Sequence, residues 1–335
     1  MMQTLLIDKM ISVSIIIPVY NVEQYIESCL LSVINQNYKG DIECVIVNDC
    51  TPDQSMVVVH KILSDYDGNI LFKIVDHKEN RGLSASRNSG VRVATGDYLY
   101  FLDSDDILAK NAIALLADLA LKDLPDVVMG DFELIGSNQN IPQLKTTITH
   151  FNIQKDIFNA FISYELYEMA WNKLVKRQFF YRHELWFCEG LIHEDSLWSF
   201  LLFYYCASLR ICVQKTYGYR IRENSIMTDP RNVIKSLKSY YEIFFLKIEF
   251  IKKNALFEEF PLLIKYMIDT KYLLRRILVE QDMNDEMYTK LGKEMGGCYT
   301  FRKGLTNLTR AKILLSNLPF GIFKFLTSHI YNTTK

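Results

Sequence analysis

Two aspartates one residue apart, Asp103 and Asp105, directly follow the apolar segment Tyr98–Leu102. Two carboxylates in a tight turn offer the oxygen ligands that Mg²⁺ and Mn²⁺ prefer, and these ions also bind the phosphates of substrates. The alternative is a solvated turn that caps the next helix, because aspartate is common at such places. The position directly after an apolar segment, together with the residues that follow three similar segments, favours the metal site.

Polar residues also follow three other apolar segments in the first hundred residues. Asp49 is placed to accept hydrogen bonds from a nucleotide base or ribose. Arg87 follows a glycine turn, where backbone N–H groups and a guanidinium both favour phosphate, and a surface ion pair is its alternative role. The three segments are Val13–Val19 before Tyr20 and Asn21, Glu43–Val47 before Asn48 and Asp49, and Leu71–Val75 before Asn80–Asn88.

These apolar segments are typical of buried strands that alternate with helices. Val13–Val19 is almost continuously apolar and β-branched, as in a strand covered on both faces. Asn21 and Gln24 have the spacing of a helix capping box, and apolar residues then recur at helical period. Alternating strands and helices predict a three-layer α/β/α domain with a mostly parallel central sheet. Ligands of such sheets bind beyond the carboxyl ends of the strands, where the polar residues lie.

Five motifs along the chain resemble those of the family 2 glycosyltransferases, which have the GT-A fold. In order they are IIIPVYN, VIVNDCTPD, NRGLSASRNSG, GDYLYFLDSDD and HED, and the resemblance covers about residues 11–225. It implies that Asp49 contacts the nucleotide base, and that Asp103 and Asp105 contact the donor and its Mg²⁺ or Mn²⁺ ion. The family usually has Asp-Asp-Gly-Ser where this chain has Asn48-Asp49-Cys50-Thr51. This difference concerns the base preference and the loop shape, and it leaves the metal ligands intact.

Transfer with inversion also needs a base that takes the proton of the attacking hydroxyl group, while a metal neutralises the departing diphosphate. His193-Glu194-Asp195 resembles the Glu-Asp pair of the family. The resemblance implies Asp195 as the base and Glu194 as a residue that helps to place the acceptor. The alternative is an acidic helix N-terminus without a catalytic role. We predict that the nucleotide sugar is bound by Pro18, Tyr20, Asn21, Asp49, Arg87, Asp103, Ser104 and Arg222.

The second half of the chain has fewer residues with recognisable chemistry. Trp171 is expected either to pack under the acceptor sugar or to be a buried core residue. Arg222 is expected to close on the diphosphate from a loop, with an ordinary surface arginine as the alternative. After Pro230 the pattern becomes helical. We therefore predict a catalytic domain over residues 1–229 and a helical C-terminal extension over residues 230–335.

Composition and targeting signals narrow the class of protein. The net charge of -1 over 335 residues gives no support for nucleic-acid binding. The 7 cysteines are scattered without metal-ligand spacing, which indicates reduced thiols. The N-terminus does not have the pattern of a signal peptide, and the longest apolar run, Leu197–Leu209, is too short to span a bilayer. We therefore expect a cytoplasmic protein.

The C-terminal tail suggests contact with a membrane. After Glu294 the chain has no further Asp or Glu, and its basic residues are interleaved with Phe, Ile and Leu. Such a segment suits a surface of anionic lipid on the cytoplasmic face of the inner membrane. The alternatives are packing against the catalytic domain and a homodimer contact. The basic residues are Arg302, Lys303, Arg310, Lys312, Lys324 and Lys335.

These patterns together predict an inverting glycosyltransferase with a nucleotide-sugar donor, for which UDP is the expected nucleotide. The expected acceptor is a glycan or lipid-linked glycan, as in the synthesis of bacterial capsule, O-antigen or exopolysaccharide. The alternative is a non-catalytic protein that keeps the fold to bind a nucleotide sugar or a glycan. A dinucleotide-dependent dehydrogenase is disfavoured, because the first strand is followed by Pro18-Val19-Tyr20-Asn21 and not by G-x-G-x-x-G.

Overall fold

The computed structural model describes residues 10–136, 144–221, 233–283, 286–295 and 305–332. The chain divides into two compact units, Met1–Ser225 and Ile226–Lys335. The domain boundary that we place after residue 229 lies outside the described residues and stays a prediction.

The first unit is built on a central sheet, which confirms the predicted α/β fold. Its helices are α1 (Ile26–Ile34), α2 (Ser55–Ser64), α3 (Leu83–Val93), α4 (Ala112–Ala120), α5 (Gln154–Ile162), α6 (Arg177–Arg182) and α7 (Glu194–Tyr205). Its strands are β1 (Val13–Val19), β2 (Ile42–Asn48), β3 (Leu71–Asp76), β4 (Tyr98–Phe101), β5 (Ile107–Leu108), β6 (Val127–Ile135), β7 (His150–Phe151), β8 (Lys173–Lys176) and β9 (Leu209–Arg220).

The direction of the strands brings the ends of several of them to one edge. The strand order is β3-β2-β1-β4-β8-β6-β9-β5, with β7 beside β9. Strands β1 to β4 are parallel, as predicted. Strand β8 is antiparallel to both β4 and β6, and β6 is parallel to β9. The end of β9 and the start of β8 therefore lie at the edge where β1 to β4 end.

The four strands predicted in the first hundred residues are present, and apolar side chains of β1, β2 and β4 fill the core. All seven residues of β1 are buried, and so are all four of β4. The predicted helix cap at Asn21 is wrong: α1 begins at Ile26, and Tyr25 precedes it as N-cap. Asn21 instead has a φ of 55°, and its N–H donates to Thr51 Oγ1 at 2.8 Å. The turn after β1 is thus held by the loop after β2, which delays the start of the helix.

An aromatic cluster joins β4 to α7. The Phe101 ring meets the rings of Phe187 and Trp198 edge-on, with centroid distances of 5.1 and 5.7 Å. Phe187 and Trp198 stack on each other at 4.8 Å. Buried aromatic pairs of this kind are worth about 0.5–1.5 kcal/mol beyond the area they bury. The start of α7 is therefore fixed relative to the end of β4.

The second unit is helical, as predicted for the C-terminal extension. Buried basic side chains of one of its helices donate to backbone carbonyl groups just beyond the ends of two others. Lys271 Nζ donates to the carbonyl of Glu294 at 2.5 Å, and Arg275 Nη2 donates to that of Leu318 at 2.7 Å. No described helix is both long and apolar enough to cross a membrane. The helices are α8 (Val233–Lys253), α9 (Leu256–Glu259), α10 (Leu262–Glu280), α11 (Glu286–Lys293), α12 (Asn307–Leu315) and α13 (Phe320–Asn332).

Candidate active site

The loop after β4 carries the two predicted metal ligands and is held in place by β9. Tyr217 OH donates to Asp106 Oδ2 at 2.6 Å and accepts from the N–H of Asp103 at 3.3 Å. The N–H of Arg220 donates to Asp106 Oδ1 at 2.7 Å, and Arg220 Nε donates to the carbonyl of Asp105 at 3.0 Å. Asp106 is therefore the buried anchor of the loop, and it leaves Asp103 and Asp105 at the edge of the sheet.

Three aspartate side chains, those of Asp103, Asp105 and Asp106, place negative charge close together in this loop. Burial raises the pKa of the Asp106 carboxyl well above its usual range, and the neighbouring charges of Asp105 and Asp103 raise it further. A divalent cation would relieve this repulsion. Among the described residues no group of three or more His, Cys, Asp or Glu side chains is placed to hold a metal ion. A third side chain is unnecessary, since Mg²⁺ is commonly held by one or two carboxylates together with substrate phosphates and water. The donor set of Asp103 and Asp105 fits such an ion.

Arg87 joins the loop after β4 to the start of α7. Its Nη2 donates to Asp103 Oδ1 at 2.8 Å, and its Nη1 donates to Glu194 Oε1 at 2.5 Å. Only 2% of Arg87 is exposed and its pair with Glu194 is buried, so the expected alternative of a surface ion pair is wrong. Burial alone would lower the pKa of Arg87, but the charges of Asp103 and Glu194 outweigh it and raise the pKa. The guanidinium is thus a permanent cation between two carboxylates.

Asp49 shapes the loop that leads to Arg87. Its carboxylate accepts the N–H of Arg81 at 2.8 Å and the N–H of Gly82 at 2.7 Å. His77 Nδ1 lies 2.6 Å from Asp49 Oδ1. Gly82 has a φ of 87°, a conformation that favours glycine, and α3 starts directly after it. Asp49 is therefore buried against the loop between β3 and α3. Its contact with a nucleotide base stays a prediction.

Glu194 and Asp195 form the first turn of α7. They follow His193, which takes the left-handed conformation with a φ of 63°. Burial raises the pKa of both carboxyl groups, and for Asp195 the charges of Glu194, Glu168 and Asp103 contribute in the same direction. The structure thus brings the Glu-Asp pair into the electrostatic range of the loop after β4. The catalytic role of Asp195 stays a prediction.

The other predicted donor-binding residues lie around the same edge, with one exception. Pro18 is buried within β1, whereas Tyr20 and Asn21 beyond it are exposed. Ser104 is buried between the two predicted metal ligands. Arg222 lies outside the described residues. Contact of these residues with a nucleotide sugar stays a prediction.

Several residues outside the predicted donor and acid residues support the site. Trp171 is buried and stacks on Tyr217 at 4.4 Å, which confirms the core alternative for this tryptophan. Tyr217 and Tyr219 share a face of β9, since residues two apart in a strand point the same way. The alternation of the two tyrosines along β9 is visible in the sequence. Lys173 is fully buried, its Nζ donates to the carbonyl of Met169, and burial lowers its pKa well below the usual range.

Comparisons with known proteins agree with the motifs. The family model described as "Glycosyl transferase family 2" matches residues 14–183. The glycosyltransferase GlyA of Streptococcus pneumoniae is 32% identical over 64% of this chain and 31% of its own length. The uncharacterized glycosyltransferase EpsJ of Bacillus subtilis is 33% identical over 65% of this chain and 63% of its own length. The chain therefore spans less than two thirds of both relatives.

Solved structures share the fold at low sequence identity. TarS residues 1–349 of S. aureus, in complex with UDP-GlcNAc, superimposes with a TM-score of 0.63 and 17% identity, covering 95% of this chain and 92% of that one. The mannosyltransferase PcManGT of Pyrobaculum calidifontis, in complex with GDP-Man and Mn²⁺, gives a TM-score of 0.54 and 16% identity, covering 92% and 86%.

Proposed function

The chain belongs to glycosyltransferase family 2, and on that basis we propose that it is a metal-dependent, inverting glycosyltransferase of bacterial glycan synthesis. We propose a UDP-sugar as the donor and a glycan or lipid-linked glycan as the acceptor. One observation carries the proposal: Arg87 binds both Asp103 of the predicted metal pair and Glu194 of the predicted acid pair. The predicted metal ligand and the predicted acidic pair are far apart in sequence, and one guanidinium binds both.

The metal would be held by Asp103 and Asp105, with the diphosphate of the donor completing its ligands. When bound, Mg²⁺ or Mn²⁺ supplies charge neutralisation for the departing nucleoside diphosphate. The structure of PcManGT contains Mn²⁺ and GDP-Man, and that of TarS contains UDP-GlcNAc. These related folds support a nucleotide-sugar donor and the use of a metal in this chain.

The protein's own groups would then handle the proton of the acceptor. Asp195 accepts the proton of the attacking hydroxyl group, because a base is needed in a single displacement. Burial keeps the pKa of Asp195 high, which makes the carboxylate a stronger base than an exposed aspartate. Glu194, held by Arg87, fixes the orientation of the helix turn that carries the base.

A panel of nucleotide sugars tests the proposed function. We expect the full chain to hydrolyse at least one UDP-sugar slowly in the presence of Mn²⁺, and to lose this activity when EDTA removes the metal. Release of nucleoside diphosphate is the measurement. A non-catalytic protein, the main alternative, would bind a nucleotide or a glycan in calorimetry without turnover of any donor. That result would reject the proposal.

The tail supports a peripheral membrane contact through part of its surface only. Of its apolar residues, Ile313 and Phe323 are buried, and Phe323 packs against Tyr272 of the second unit. Lys312 pairs with Asp269 at 2.5 Å and Lys324 pairs with Asp282 at 2.6 Å. Several large apolar side chains nevertheless remain exposed, a composition that suits an interfacial surface. They are Leu308, Leu314, Ile322 and Phe325.

Flotation with anionic vesicles tests this contact. We expect the full chain to float with phosphatidylglycerol vesicles at low salt, and the variant with Leu314→Glu and Phe325→Glu to float several-fold less, because it loses apolar area and gains negative charge. Leu262→Glu, on an exposed position of α10, is the matched control and should float normally. If the unaltered chain stays at the bottom of the gradient, the tail does not bind membranes. A dimer in light scattering would then favour the homodimer contact.

A further inference from the structure

We propose that Arg87 is a positioning residue that holds the donor half and the acceptor half of the site at a fixed separation. The donor half is Asp103 with Asp105, and the acceptor half is Glu194 with Asp195. This inference rests on the proposed transferase function. It differs from the phosphate-binding role that the sequence suggests for Arg87, because the guanidinium would act through protein carboxylates.

Burial leaves the guanidinium of Arg87 little access to a substrate, and two of its five N–H donors are already bound to carboxylates. Each terminal nitrogen already donates to a different carboxylate, at 2.5 Å to Glu194 and at 2.8 Å to Asp103. The remaining nitrogen, Nε, is buried and has no hydrogen-bond partner among the described residues. Only 3% of the Arg87 side chain is exposed. A phosphate that displaced one of these carboxylates would leave a buried charge uncompensated, which is strongly unfavourable.

The planar guanidinium makes this connection stiff. Its nitrogens are fixed in a rigid fork, so the two carboxylates that they bind are held at a set distance and angle. Lysine has one ammonium group on a flexible stem and cannot reproduce this geometry. Arg87 therefore adds a rigid polar connection between the loop after β4 and the first turn of α7, two elements that the aromatic cluster also joins.

Arg87 is itself held from two sides. It belongs to α3, whose preceding loop is fixed by the hydrogen bonds from Arg81 and Gly82 to Asp49. Its guanidinium lies 5.1 Å from the centroid of the Phe187 ring, which stacks on Trp198 of α7. Because Arg87 is held on both sides, it sets the position at which the acceptor hydroxyl group meets the anomeric carbon. Misplacement by about 1 Å can lower a rate about 10²-fold.

A double-mutant cycle tests the inference. The variants are Arg87→Lys, Glu194→Gln and their combination, and Arg92→Lys at an exposed position of the same helix is the matched control. Two quantities are measured: the Kd of UDP in the presence of Mn²⁺, and kcat for hydrolysis of the best donor among UDP-glucose, UDP-galactose and UDP-GlcNAc. We expect Arg87→Lys to lower kcat about 10²-fold and to change the Kd much less. The double variant should lose little more than either single variant, because both remove the same connection.

A phosphate ligand would behave differently in each measurement. Its loss would raise the Kd of UDP, leave kcat at saturating donor nearly unchanged, and combine multiplicatively with Glu194→Gln. Any one of those three results overturns the inference. If Arg87→Lys does not fold, Glu194→Gln alone decides, since it removes a negative charge and leaves Arg87 on Asp103. An unchanged kcat in that variant contradicts the positioning role of Arg87. Absence of Mn²⁺-dependent UDP binding in the unaltered chain would instead reject the proposed function.

Discussion

Replacing Asp195 with asparagine should lower kcat about 10²- to 10⁴-fold, the usual contribution of a general base. Asparagine keeps the shape of the side chain and removes its basicity. Because the metal and the nucleotide are proposed to bind elsewhere, at Asp103 and Asp105, the Kd of UDP with Mn²⁺ should stay near that of the unaltered chain. Initial rates of sugar transfer or donor hydrolysis measure the first quantity, and calorimetry measures the second.

The pH dependence of the rate is a second test of Asp195 as the base. Burial and the charges of Glu194 and Glu168 raise the pKa of Asp195. A base must be ionised to act, so activity should rise with pH through that raised pKa and fall below it. The loss on acidification therefore begins at a higher pH than an exposed aspartate would cause. Asp195→Asn should abolish this limb of the profile.

Asp118→Asn, a change of the same chemistry at an exposed position of α4, is the matched control and should leave both rate and profile unaltered. Near-normal turnover of Asp195→Asn would move the role of base elsewhere. Glu194 would be the next candidate, although its carboxylate is already bound to Arg87.

Local sequence patterns are sufficient to predict the strands β1 to β4, whose ends carry the predicted donor-binding residues. Segments such as Val13–Val19 are apolar over almost their whole length, and burial on both faces makes such a run stable in water. The strand ends then followed from the rule that ligands bind at the carboxyl edge of a parallel sheet. The same reasoning failed for the start of α1. Its position depends on the bond from Asn21 N–H to Thr51 Oγ1, a contact between residues thirty positions apart.

The partners of Arg87 show why the rest could not be read from the sequence. Arg87 and Glu194 are separated by 107 positions, and neither residue type signals that it will be buried. Phosphate binding was the natural expectation for an arginine behind a glycine turn, since guanidinium and phosphate are complementary. Only the geometry shows that two protein carboxylates occupy the terminal nitrogens. Likewise, the sequence shows Asp106 only as the third aspartate of an acidic run. In the structure it is buried and accepts a hydrogen bond from Tyr217, so its role differs from that of Asp103 and Asp105.

Replacing Asp105 with alanine should abolish the Mn²⁺-dependent part of the affinity for UDP without unfolding the protein. The hydrogen bonds between this loop and β9 use the side chain of Asp106, the hydroxyl of Tyr217 and the backbone carbonyl of Asp105, all of which remain in the variant. A change in a surface loop usually alters the free energy of unfolding by no more than about 0.5 kcal/mol. Calorimetric titration of UDP with and without Mn²⁺ measures the effect. Equal Mn²⁺-dependent affinity in the variant and the unaltered chain would remove Asp105 from the metal site.

The neighbouring Asp106 supplies the comparison that separates metal binding from loop structure. Asp106→Ala leaves the buried hydroxyl of Tyr217 and the N–H of Arg220 without their acceptor. An unsatisfied buried donor costs about 1–3 kcal/mol, so this variant should unfold at a clearly lower temperature. Asp105→Ala should instead keep its unfolding temperature and lose only the response to Mn²⁺. If both variants lost stability and metal response together, the acidic run would be a structural unit, and the metal would have to be held by other residues.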